Sequence, residues 1–366
     1  MSFTARHRDE LEDKGYTVIE DAVPNHRELK ASFFQWMTDM FGEGGTPYSQ
    51  YSIVRHYHVG HLEPAWSARL QVKKFFEALW GTTRLLTSVD AVAIGQPPEK
   101  GVEEFDSEHQ HWLHVDQGAG RESLHAYQGA VYLETADHDD WTFEMLEGSH
   151  KYHSEFYCHN KKAAMRSSLS DFYGMRQADL EWFHSAGCRR KRVPVKAGSL
   201  LLWDSRLVHA NARPVKGREH TDRWRLVVLV CMTPCAWSTE EDIAKKKKAY
   251  KNLEMTTHWP SDDIGLMGTY FPSYATAAKS STKPSLPEIA KTKEAKQLAG
   301  VTPYKVVRGS RDVAWRPKWN PKWRPDMAVK TARLYKGESR GKTILIWCMF
   351  FAICLSVAVA MGSFFQ

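Results

Sequence analysis

The chain is long enough to bury a sizeable core, and it carries its positive charge in one place. It has 366 residues, of which 42% are hydrophobic and 25% charged, and its net charge is +7. Such a chain is expected to fold as one large domain or two small ones. Residues 305–342 contain twelve Lys/Arg against three Asp/Glu, a balance of +9, so the remainder carries −2. The overall charge therefore gives no reason to expect nucleic-acid binding.

Cysteine usage and the first residues indicate a reducing compartment. The chain has six cysteines, and no two of them form a CxxC pair. Neither a zinc ribbon nor a disulfide framework is therefore expected. Residues 1–15 are rich in charge and contain no apolar segment like the core of a signal peptide. We therefore expect the folded body to lie in the cytosol.

The N-terminal part predicts one strand followed by two helices. Tyr16–Ile19 is a short alternating run after a glycine and predicts an edge strand. Large apolar residues recur at helical spacing after Asn25 and again after Pro64, and both residue types suit the start of a helix. Further along, residues 84–95 predict a buried strand and residues 127–133 an alternating strand. Residues 160–186 have the composition of a helix.

Residues 198–234 predict a β-hairpin around which the rest of the chain would be arranged. Residues 200–203 and 224–232 are short apolar runs of the kind found in buried strands. The polar segment between them contains proline and glycine, which favour a turn. His209 follows the first run and Arg225 opens the second. A hairpin would place Arg225 opposite His209 on the neighbouring strand.

Changes in composition predict three parts. Residues 1–272 would form a folded domain, residues 273–342 a basic linker and juxtamembrane arm, and residues 343–366 a membrane anchor. Residues 315–325 read WRPKWNPKWRP, a repeat in which proline at every fourth position excludes a regular helix. Two interpretations of this repeat remain open. It is either a strap laid on the domain or an element that places Trp and Lys at lipid headgroups.

The C-terminal segment predicts one transmembrane helix. Residues 344–365 contain no charge over 22 positions, which at about 1.5 Å per residue spans roughly 33 Å, enough for a hydrocarbon core of about 30 Å. Arg340 and Lys342 precede this segment, which places the preceding part of the chain in the cytosol. We therefore expect a single-pass, tail-anchored protein with a cytosolic body. The endoplasmic reticulum is favoured over the mitochondrial outer membrane because no basic residue follows, and a viral membrane remains an alternative.

Four His-x-Asp triplets occur, and their surroundings distinguish them. They are His7/Asp9, His114/Asp116, His138/Asp140 and His220/Asp222. Only His114-Val115-Asp116 lies among apolar residues and leads into a strand, where residues i and i+2 point to the same face. An imidazole and a carboxylate on one face can bind a metal together, and His209 is the expected third ligand. Two histidines and one carboxylate leave three positions of an octahedron open, as in non-haem Fe(II) oxygenases.

Two further residues complete this prediction. Arg225, if buried beside His209, would bind the far carboxylate of an acidic cosubstrate in a bidentate manner. His111 is an alternative ligand to His114, but it has no carboxylate two residues on.

Further motifs accompany the triplet along the chain. They are LEDKGYTVIEDAVP at 11–24, LEGSH at 146–150, GSL at 198–200, WDSRxxH at 203–209, Arg225 and THWP at 257–260. Each motif is loose, but their order and spacing over residues 11–272 resemble the phytanoyl-CoA dioxygenase-like branch of the Fe(II)/2-oxoglutarate oxygenases. The resemblance implies a mainly β fold with flanking helices (α+β), built on a double-stranded β-helix, which is a jelly-roll or cupin-like barrel.

The resemblance also implies a cofactor, a cosubstrate and an activity. Iron would be held by His114, Asp116 and His209, and 2-oxoglutarate by Arg225. O2 would be the second cosubstrate, with ascorbate as an assay additive. The enzyme would convert 2-oxoglutarate to succinate and CO2 while hydroxylating an unactivated C–H bond. A carboxylate at Asp116 argues against the halogenating relatives, in which a small residue frees a site for chloride.

The arginine that binds 2-oxoglutarate remains an open choice. The gap from His209 to Arg225 is longer than usual in the resembled family, which leaves Arg223 and Arg218 as rivals. We prefer Arg225 because it opens the apolar strand directly. Residues expected to line the pocket or contact the cosubstrate are Trp112, Tyr127, Gln128, Trp203 and Ser205.

Three other functions remain open. The first is an inactive barrel that only binds its ligands. The second is a zinc hydrolase that uses the same three ligands and a bound water. The third is a structural membrane protein whose function lies in the arm and the anchor. The substrate is not specified by the sequence: an anchored enzyme favours a lipid or acyl chain, with a soluble metabolite or a protein side chain as alternatives. No nucleic-acid partner is expected, and the oligomeric state is open.

Overall fold

The fold consists of two antiparallel β-sheets with helices packed outside them. The computed structural model describes residues 2–47, 49, 51–101, 103–107, 111–268, 284–305 and 316–323. In those residues the helices are α1 (Ala5–Asp13), α2 (His26–Phe41), α3 (Glu63–Trp80), α4 (His153–His159), α5 (Lys161–Ser170), α6 (Gln177–Ser185), α7 (Glu240–Asn252) and α8 (Lys293–Leu298).

The strands are numbered along the same described residues. They are β1 (Tyr16–Ile19), β2 (Ile53–Val54), β3 (Leu85–Thr87), β4 (Val92–Gly95), β5 (His114–Val115), β6 (Arg121–Glu122), β7 (Tyr127–Tyr132), β8 (Thr142–Glu147), β9 (Tyr173–Gly174), β10 (Arg189–Val193), β11 (Leu200–Asp204), β12 (His209–Ala212), β13 (Arg225–Pro234), β14 (Met255–Thr256), β15 (Leu266–Gly268) and β16 (Lys318–Trp319). The predicted edge strand is β1, and the helices expected after Asn25 and at Pro64 are α2 and α3.

The chain passes back and forth between the two main sheets. The larger sheet has the order β1-β11-β7-β13-β4-β2, with β3 also paired to β13, and the smaller has the order β10-β8-β12-β5-β9. In chain order β4, β7, β11 and β13 lie in the larger sheet, and β5, β8, β10 and β12 in the smaller one. The fold is mainly β with flanking helices, and this winding is consistent with the predicted jelly-roll-like barrel.

The two faces of the larger sheet bury different sets of side chains. Along β13, Val227 belongs to the apolar cluster between the sheets, whereas Leu226 and Val228 belong to the cluster that packs against α2 and α3. Successive strand residues point to opposite faces, so alternate residues of β13 line the barrel interior. A strand that is buried on both faces reads as a continuous apolar run.

The predicted hairpin at residues 198–234 is wrong. The strands β11 and β13 do not pair with each other, because both pair with β7, which lies between them. His209 lies on β12 in the smaller sheet, and Arg225 pairs with Gly95 of β4. Apolar runs indicate buried strands but do not encode their partners, so the nearest run along the chain was mistaken for the neighbour in space.

Two other segments are more finely divided than predicted. The expected strand at residues 84–95 is two strands, β3 and β4, separated by residues 88–91. The expected helix at residues 160–186 is α5 and α6 with β9 between them. In both segments the composition gave no signal for the interruption.

Part of the predicted linker is folded onto the domain. Residues 284–305 include α8, and Ala290, Ala295 and Leu298 are fully buried. Ala290 and Ala295 pack in one apolar cluster with Trp66 of α3, and the Tyr304 hydroxyl donates to the Leu85 carbonyl at 2.7 Å. The composition of this segment resembles a linker, but its few apolar residues are the ones that meet the domain.

The described part of the Trp-x-Pro-Lys repeat is a strap on the domain. Strand β16 pairs with β6, and the Trp319 indole donates to Asp262 at 3.0 Å. The Arg121 guanidinium lies between the rings of Trp259 and Trp319, at 3.7 and 4.3 Å from their centroids. Stacking of this kind holds an arginine and two aromatic rings together. Trp315 and the rest of the arm lie outside the described residues.

The predicted anchor, residues 343–366, also lies outside the described residues. Among the residues that the structure does describe, no helix has both the length and the apolar character needed to cross a bilayer.

Candidate metal centre

The three predicted metal ligands meet at one end of the smaller sheet. His114 of β5 and His209 of β12 lie directly opposite each other on neighbouring strands, with ring centroids 4.5 Å apart. The Asp116 carboxylate follows β5, and its two oxygens lie 3.5 Å from Nε2 of His114 and Nε2 of His209. One ligand atom from each residue lies within 4.8 Å of the other two. This triad, rather than one built on His111, is the cluster with metal-binding geometry in the described part of the chain.

Backbone carbonyls orient both imidazoles. The Trp112 carbonyl lies 2.9 Å from Nδ1 of His114, and the Leu207 carbonyl lies 2.9 Å from Nδ1 of His209. A carbonyl oxygen can only accept, so each Nδ1 carries the proton and each Nε2 keeps a free lone pair. Fixing the tautomer through the other ring nitrogen is the usual device of metal-binding histidines.

The charges at the triad favour its metal-binding protonation states. Burial by itself would raise the pKa of the Asp116 carboxyl, but His114, His258 and His209 hold that pKa well below its usual range. Burial, together with the neighbouring His114, lowers the pKa of His209. At neutral pH the site therefore offers a carboxylate and a neutral imidazole, the forms that bind a cation.

Gln128 supports the carboxylate ligand from the larger sheet. Its Nε2 donates to Oδ2 of Asp116 at 3.0 Å. Gln128 lies on β7, two residues before Ala130 and on the same face, which lines the barrel interior. The sequence predicted a contact of Gln128 with the cosubstrate, and the structure shows its bond to the predicted metal ligand.

Aromatic rings enclose the triad on the interior side. Trp112 stacks on His114 with centroids 4.6 Å apart, and Phe143 stacks on His209 at 5.8 Å. The Trp203 ring lies 5.2 Å from His209. The predicted positions of Trp112 and Trp203 beside the site are therefore observed. Such rings lower the local polarity and limit the access of water.

Arg225 points into the barrel from the opposite sheet. It lies two residues before Val227, which belongs to the interior cluster, and its guanidinium is buried. NH1 donates to the Tyr51 carbonyl at 3.1 Å, and the Tyr51 ring stacks at 4.8 Å on Trp112, which stacks on His114. Burial lowers the pKa of Arg225 to about 10, so the side chain stays charged at neutral pH.

The two rival arginines are engaged by carboxylates. Arg218 donates from Nε to Glu99 at 2.9 Å and from NH1 to Asp140 at 2.8 Å. Arg223 pairs with Asp137 and, at 2.9 Å, with Asp140. Arg225, by contrast, forms no ion pair with any carboxylate that the structure describes.

Two predicted site residues lie elsewhere. The Ser205 hydroxyl donates to Oε1 of Gln117 at 2.7 Å and accepts from the Ala126 amide at 3.2 Å, so it braces a loop. The Tyr127 ring lies 5.4 Å from Trp80 of α3 on the outer face of the larger sheet. The prediction that Tyr127 lines the pocket was wrong. Alternate residues of β7, beginning with Gln128, face the barrel interior, so Tyr127 faces outward.

Three residues at the site were given no role from the sequence. Asn211 lies two residues after His209 on β12, and the two-residue period of a strand could have revealed it. His258 lies close enough to Asp116 to help lower the pKa of that carboxyl, although the sequence marked it only as part of a motif. Tyr51 lies in a segment before β2, where no periodic pattern marks it.

Buried polar atoms without partners surround the triad. Interiors normally satisfy such atoms, so unsatisfied ones indicate bound water or a ligand. Among the described residues, the partnerless buried atoms on this space are Nε of Arg225, Oε1 of Gln128, Nε1 of Trp203, Oδ1 of Asn211 and Nε2 of His258. The arrangement can hold a metal at one side and a hydrogen-bonding, anionic molecule between the metal and Arg225.

Comparison with known families finds a match to the central part of the chain. Residues 54–217 match the model of the phytanoyl-CoA dioxygenase (PhyH) family. Over these residues the chain is similar to this family. The matched stretch contains His114, Asp116 and His209 and ends before Arg225. The family resemblance predicted from the sequence is thereby confirmed, as is the assignment to the 2-oxoglutarate-dependent non-haem iron oxygenases, with Fe(II) and 2-oxoglutarate as cofactor and cosubstrate.

Individual relatives are more distant. "Ava biosynthesis cluster protein O" of Aspergillus versicolor is 26% identical over 275 residues, covering 69% of this chain and 85% of the relative. The structure of GlcNAc Inducible Gene 2 of Candida albicans matches with a TM-score of 0.58 at 12% identity, over 95% of this chain and 86% of that one, which is a likeness of fold alone. HygX of Streptomyces hygroscopicus, solved with nickel and 2-oxoglutarate bound, has a TM-score of 0.42 at 15% identity, over 66% of this chain and 90% of that one.

Proposed function

We propose that this protein hydroxylates an unactivated C–H bond of a small molecule, with iron held by His114, Asp116 and His209. The far carboxylate of 2-oxoglutarate is held by Arg225. One observation carries the proposal: three ligand atoms within 4.8 Å of one another face a barrel interior into which a buried arginine projects with an unsatisfied Nε.

The donor set of the triad fits ferrous iron. Two imidazole nitrogens and one carboxylate on one side of the ion leave several coordination positions free for cosubstrates. Both histidines have Nδ1 occupied by a backbone carbonyl, so Nε2 is the available ligand atom in each. Bound iron, with 2-oxoglutarate and O2, supplies the oxidising power that breaks the C–H bond, while 2-oxoglutarate leaves as succinate and CO2.

The chain's own residues provide binding, orientation and exclusion of water. Gln128 fixes the rotation of the Asp116 carboxylate, which sets the directions in which the remaining positions point. Arg225 offers a bidentate, charge-assisted contact to a carboxylate, and its burial strengthens that contact because little water competes. Trp112 and Trp203 keep the space apolar on the side of the histidines.

The choice of Arg225 over Arg223 and Arg218 rests on free donors. The two rivals already neutralise carboxylates, and taking either of them would leave those acidic groups without a partner. Arg225 has a neutral carbonyl as its hydrogen-bond partner, so binding a carboxylate replaces no ion pair.

The proposal also extends to the class of substrate and to the membrane on which the enzyme acts. The Aspergillus relative is named for a biosynthesis cluster, which supports a small-molecule substrate. The uncharged residues 344–365 favour a single-pass anchor, a cytosolic body on the endoplasmic reticulum and, among small molecules, a lipid or acyl chain. These statements rest on the sequence of a segment outside the described residues.

Succinate release tests the proposal. Purified full-length protein in detergent receives Fe(II), 2-oxoglutarate, ascorbate and O2, and we expect succinate to form even without the substrate. An Fe(II)-loaded protein that binds 2-oxoglutarate but forms no succinate would indicate the inactive binding barrel. Loss of succinate on replacing iron by zinc is expected; a hydrolytic activity that requires zinc and survives Arg225→Ala would indicate the zinc hydrolase instead.

A further inference from the structure

Apolar side chains are exposed mainly beside the metal centre. Isolated exposed apolar residues are ordinary, but a group of them marks an interaction surface. Among the described residues the exposed large apolar side chains are Tyr51, Met165, Leu169, Phe172 and Val215. Three of these five lie between positions 165 and 172, at the end of α5 and just beyond it, so they form one patch.

The patch is the outer side of an amphipathic helix. Met165 and Leu169 are one helical turn apart and therefore share a face, and they are 56% and 69% exposed. The opposite side of α5 is buried through Ala163, Ala164 and Ser167. No other described segment of the chain covers the outer side, so its apolar surface is available to a partner.

The patch continues to the rim of the metal centre. Phe172, which is 45% exposed, has its ring 5.1 Å from the His114 ring. The following strand, β9, pairs with β5 so that Gly174 lies opposite His114. A partner seated on α5 would therefore lie at the entrance to the space around the triad.

Basic side chains accompany the apolar ones. Lys161, Lys162 and Arg166 are exposed, and α5, which reads KKAAMRSSLS, contains no acidic residue. Apolar and basic side chains on one helix face suit the surface of a bilayer that contains anionic lipids, where the apolar groups enter the interface and the basic groups meet phosphates.

The end of the strap lies next to α5. The Asn320 amide donates to the Gly120 carbonyl at 2.9 Å, and the adjacent Ala119 amide donates to the Ser167 hydroxyl of α5 at 3.0 Å. Trp323 packs on the apolar cluster that contains Ala163 and Ala164. Trp323, the last described residue, therefore lies beside α5, and the 22 uncharged residues at 344–365 begin only 21 positions later in the sequence.

We infer that the outer face of α5, together with Phe172, is a docking face for an anionic bilayer surface, and that it turns the entrance of the metal centre toward the lipid. That this entrance admits a substrate to an iron site rests on the proposed function. The docking face defined in this way consists of Lys161, Lys162, Met165, Arg166, Leu169 and Phe172.

Site-specific photocrosslinking tests the docking face. p-Benzoylphenylalanine replaces Leu169 in the full-length protein, which is reconstituted in vesicles of phosphatidylcholine with phosphatidylserine and irradiated. The matched control carries the same residue in place of Lys196. Lys196 is also exposed, but it lies between β10 and β11, where it pairs with Glu20. We expect lipid adducts, identified by mass spectrometry, at position 169 and few at position 196.

Other outcomes at position 169 overturn the inference. An adduct between two protein chains would show that a second copy occupies the face. Equal lipid adducts at 169 and 196, or none at 169, would show that α5 does not dock on the bilayer. In the combined variant Lys161→Gln, Lys162→Gln and Arg166→Gln, we expect up to roughly a hundredfold less lipid adduct at 169, since each of the three basic side chains near an anionic surface contributes on the order of a fivefold preference.

A second readout separates this inference from the proposed function. The triple Gln variant should release succinate at the wild-type rate in detergent, because none of its three residues contacts the triad. His114→Ala should lose succinate release and still give the lipid adduct at 169. Succinate release without the adduct contradicts only the docking face, whereas the adduct without succinate release in the wild-type protein contradicts only the oxygenase.

Discussion

Two buried arginines, Arg218 and Arg225, differ in how completely the hydrogen bonds of their guanidinium groups are satisfied. In a group that we call the Arg218 cluster (Glu99, Asp137, Asp140, Arg218 and Arg223), Arg218 alone donates to two carboxylates and to the carbonyls of Thr221 and Arg223. In the barrel interior, Arg225 has a single carbonyl partner, and its Nε is left without one.

The difference separates a structural role from a binding role. A guanidinium whose donors are all used holds loops together, and nothing can bind to it without breaking an ion pair. A buried guanidinium with free donors carries a cost of burial that only a ligand offsets. The same reasoning applies to the unsatisfied atoms of Gln128, Trp203 and Asn211, which surround the triad and not the Arg218 cluster.

Among substitutions in the barrel interior, removal of a proposed metal ligand should lower the activity most. We expect His209→Ala to lower succinate release more than about a hundredfold, beyond the 10- to 100-fold loss typical of residues that only support a metal ligand. Iron content after reconstitution should fall in parallel. His184→Ala on α6 is the matched control, since His184 contacts the Cys188 carbonyl outside the barrel; it should keep both activity and iron. Wild-type iron content in His209→Ala would remove His209 from the ligand set.

Replacing Arg225 and Arg218 by methionine, one at a time, should separate an effect on 2-oxoglutarate binding from an effect on the stability of the fold. Arg225→Met should raise the KM for 2-oxoglutarate by about 100-fold, because a charge-assisted, bidentate contact is lost, with little change in the free energy of unfolding. Steady-state succinate kinetics and urea denaturation measure the two effects.

Arg218→Met should show the opposite pattern. Its loss leaves the buried Asp140 with Arg223 as its one remaining cation and takes the ion pair from Glu99. We expect the free energy of unfolding to fall by about 1–3 kcal/mol, while the remaining folded protein keeps its KM for 2-oxoglutarate. If Arg218→Met instead raised that KM with stability unchanged, Arg218 would be the anchor and the distinction drawn between the two regions would be wrong.

Substitution of Gln128 should have a smaller effect, and that effect should be confined to the binding of the metal. Gln128→Leu keeps the approximate size of the side chain and removes the bond to Asp116, so we expect the Fe(II) concentration for half-maximal activity to rise about tenfold. The KM for 2-oxoglutarate should change less than that. An unchanged iron requirement would show that the carboxylate is positioned without Gln128.

Substitutions in the strap should change the enzymatic activity least. Trp319→Ala removes a ring from Arg121 and a hydrogen bond to Asp262, and we expect the free energy of unfolding to fall by about 1–2 kcal/mol. Lys318→Ala, next to it on β16 and exposed, should have no measurable effect. A tenfold change in the KM for 2-oxoglutarate in Trp319→Ala would mean that the strap reaches into the site.

The structure brings together the three residues that the sequence predicted as metal ligands, and the signal for two of them is local. The spacing of His114 and Asp116 places both on one face of a strand, and the apolar surroundings distinguish this triplet from the other three. His209 was predicted from its place at the end of a strand in the expected hairpin and from the family resemblance of the WDSRxxH motif. The first of these two reasons was wrong, although His209 does meet the other two residues.

The pairing of strands could not be predicted, and the errors follow from that. The apolar run of β13 is the same whether its neighbour is β11 or β7, so the hairpin was wrong although both strands exist. Tyr127 and Gln128 lie next to each other on β7, and only the position of the sheet decides that Gln128 faces the triad. The strap of Trp319 depends on Arg121, almost two hundred residues earlier, and no local pattern connects the two.

The central claim is that iron lies between His114, Asp116 and His209, with 2-oxoglutarate extending to Arg225. Anomalous diffraction at the iron edge, from crystals grown without oxygen in Fe(II) and 2-oxoglutarate, tests it most directly. The account predicts one iron peak about 2.0–2.2 Å from Nε2 of both histidines and an Asp116 oxygen, and a carboxylate about 3 Å from the Arg225 guanidinium. An iron peak away from these three residues, or 2-oxoglutarate bound with Arg225 still unpaired, would contradict it.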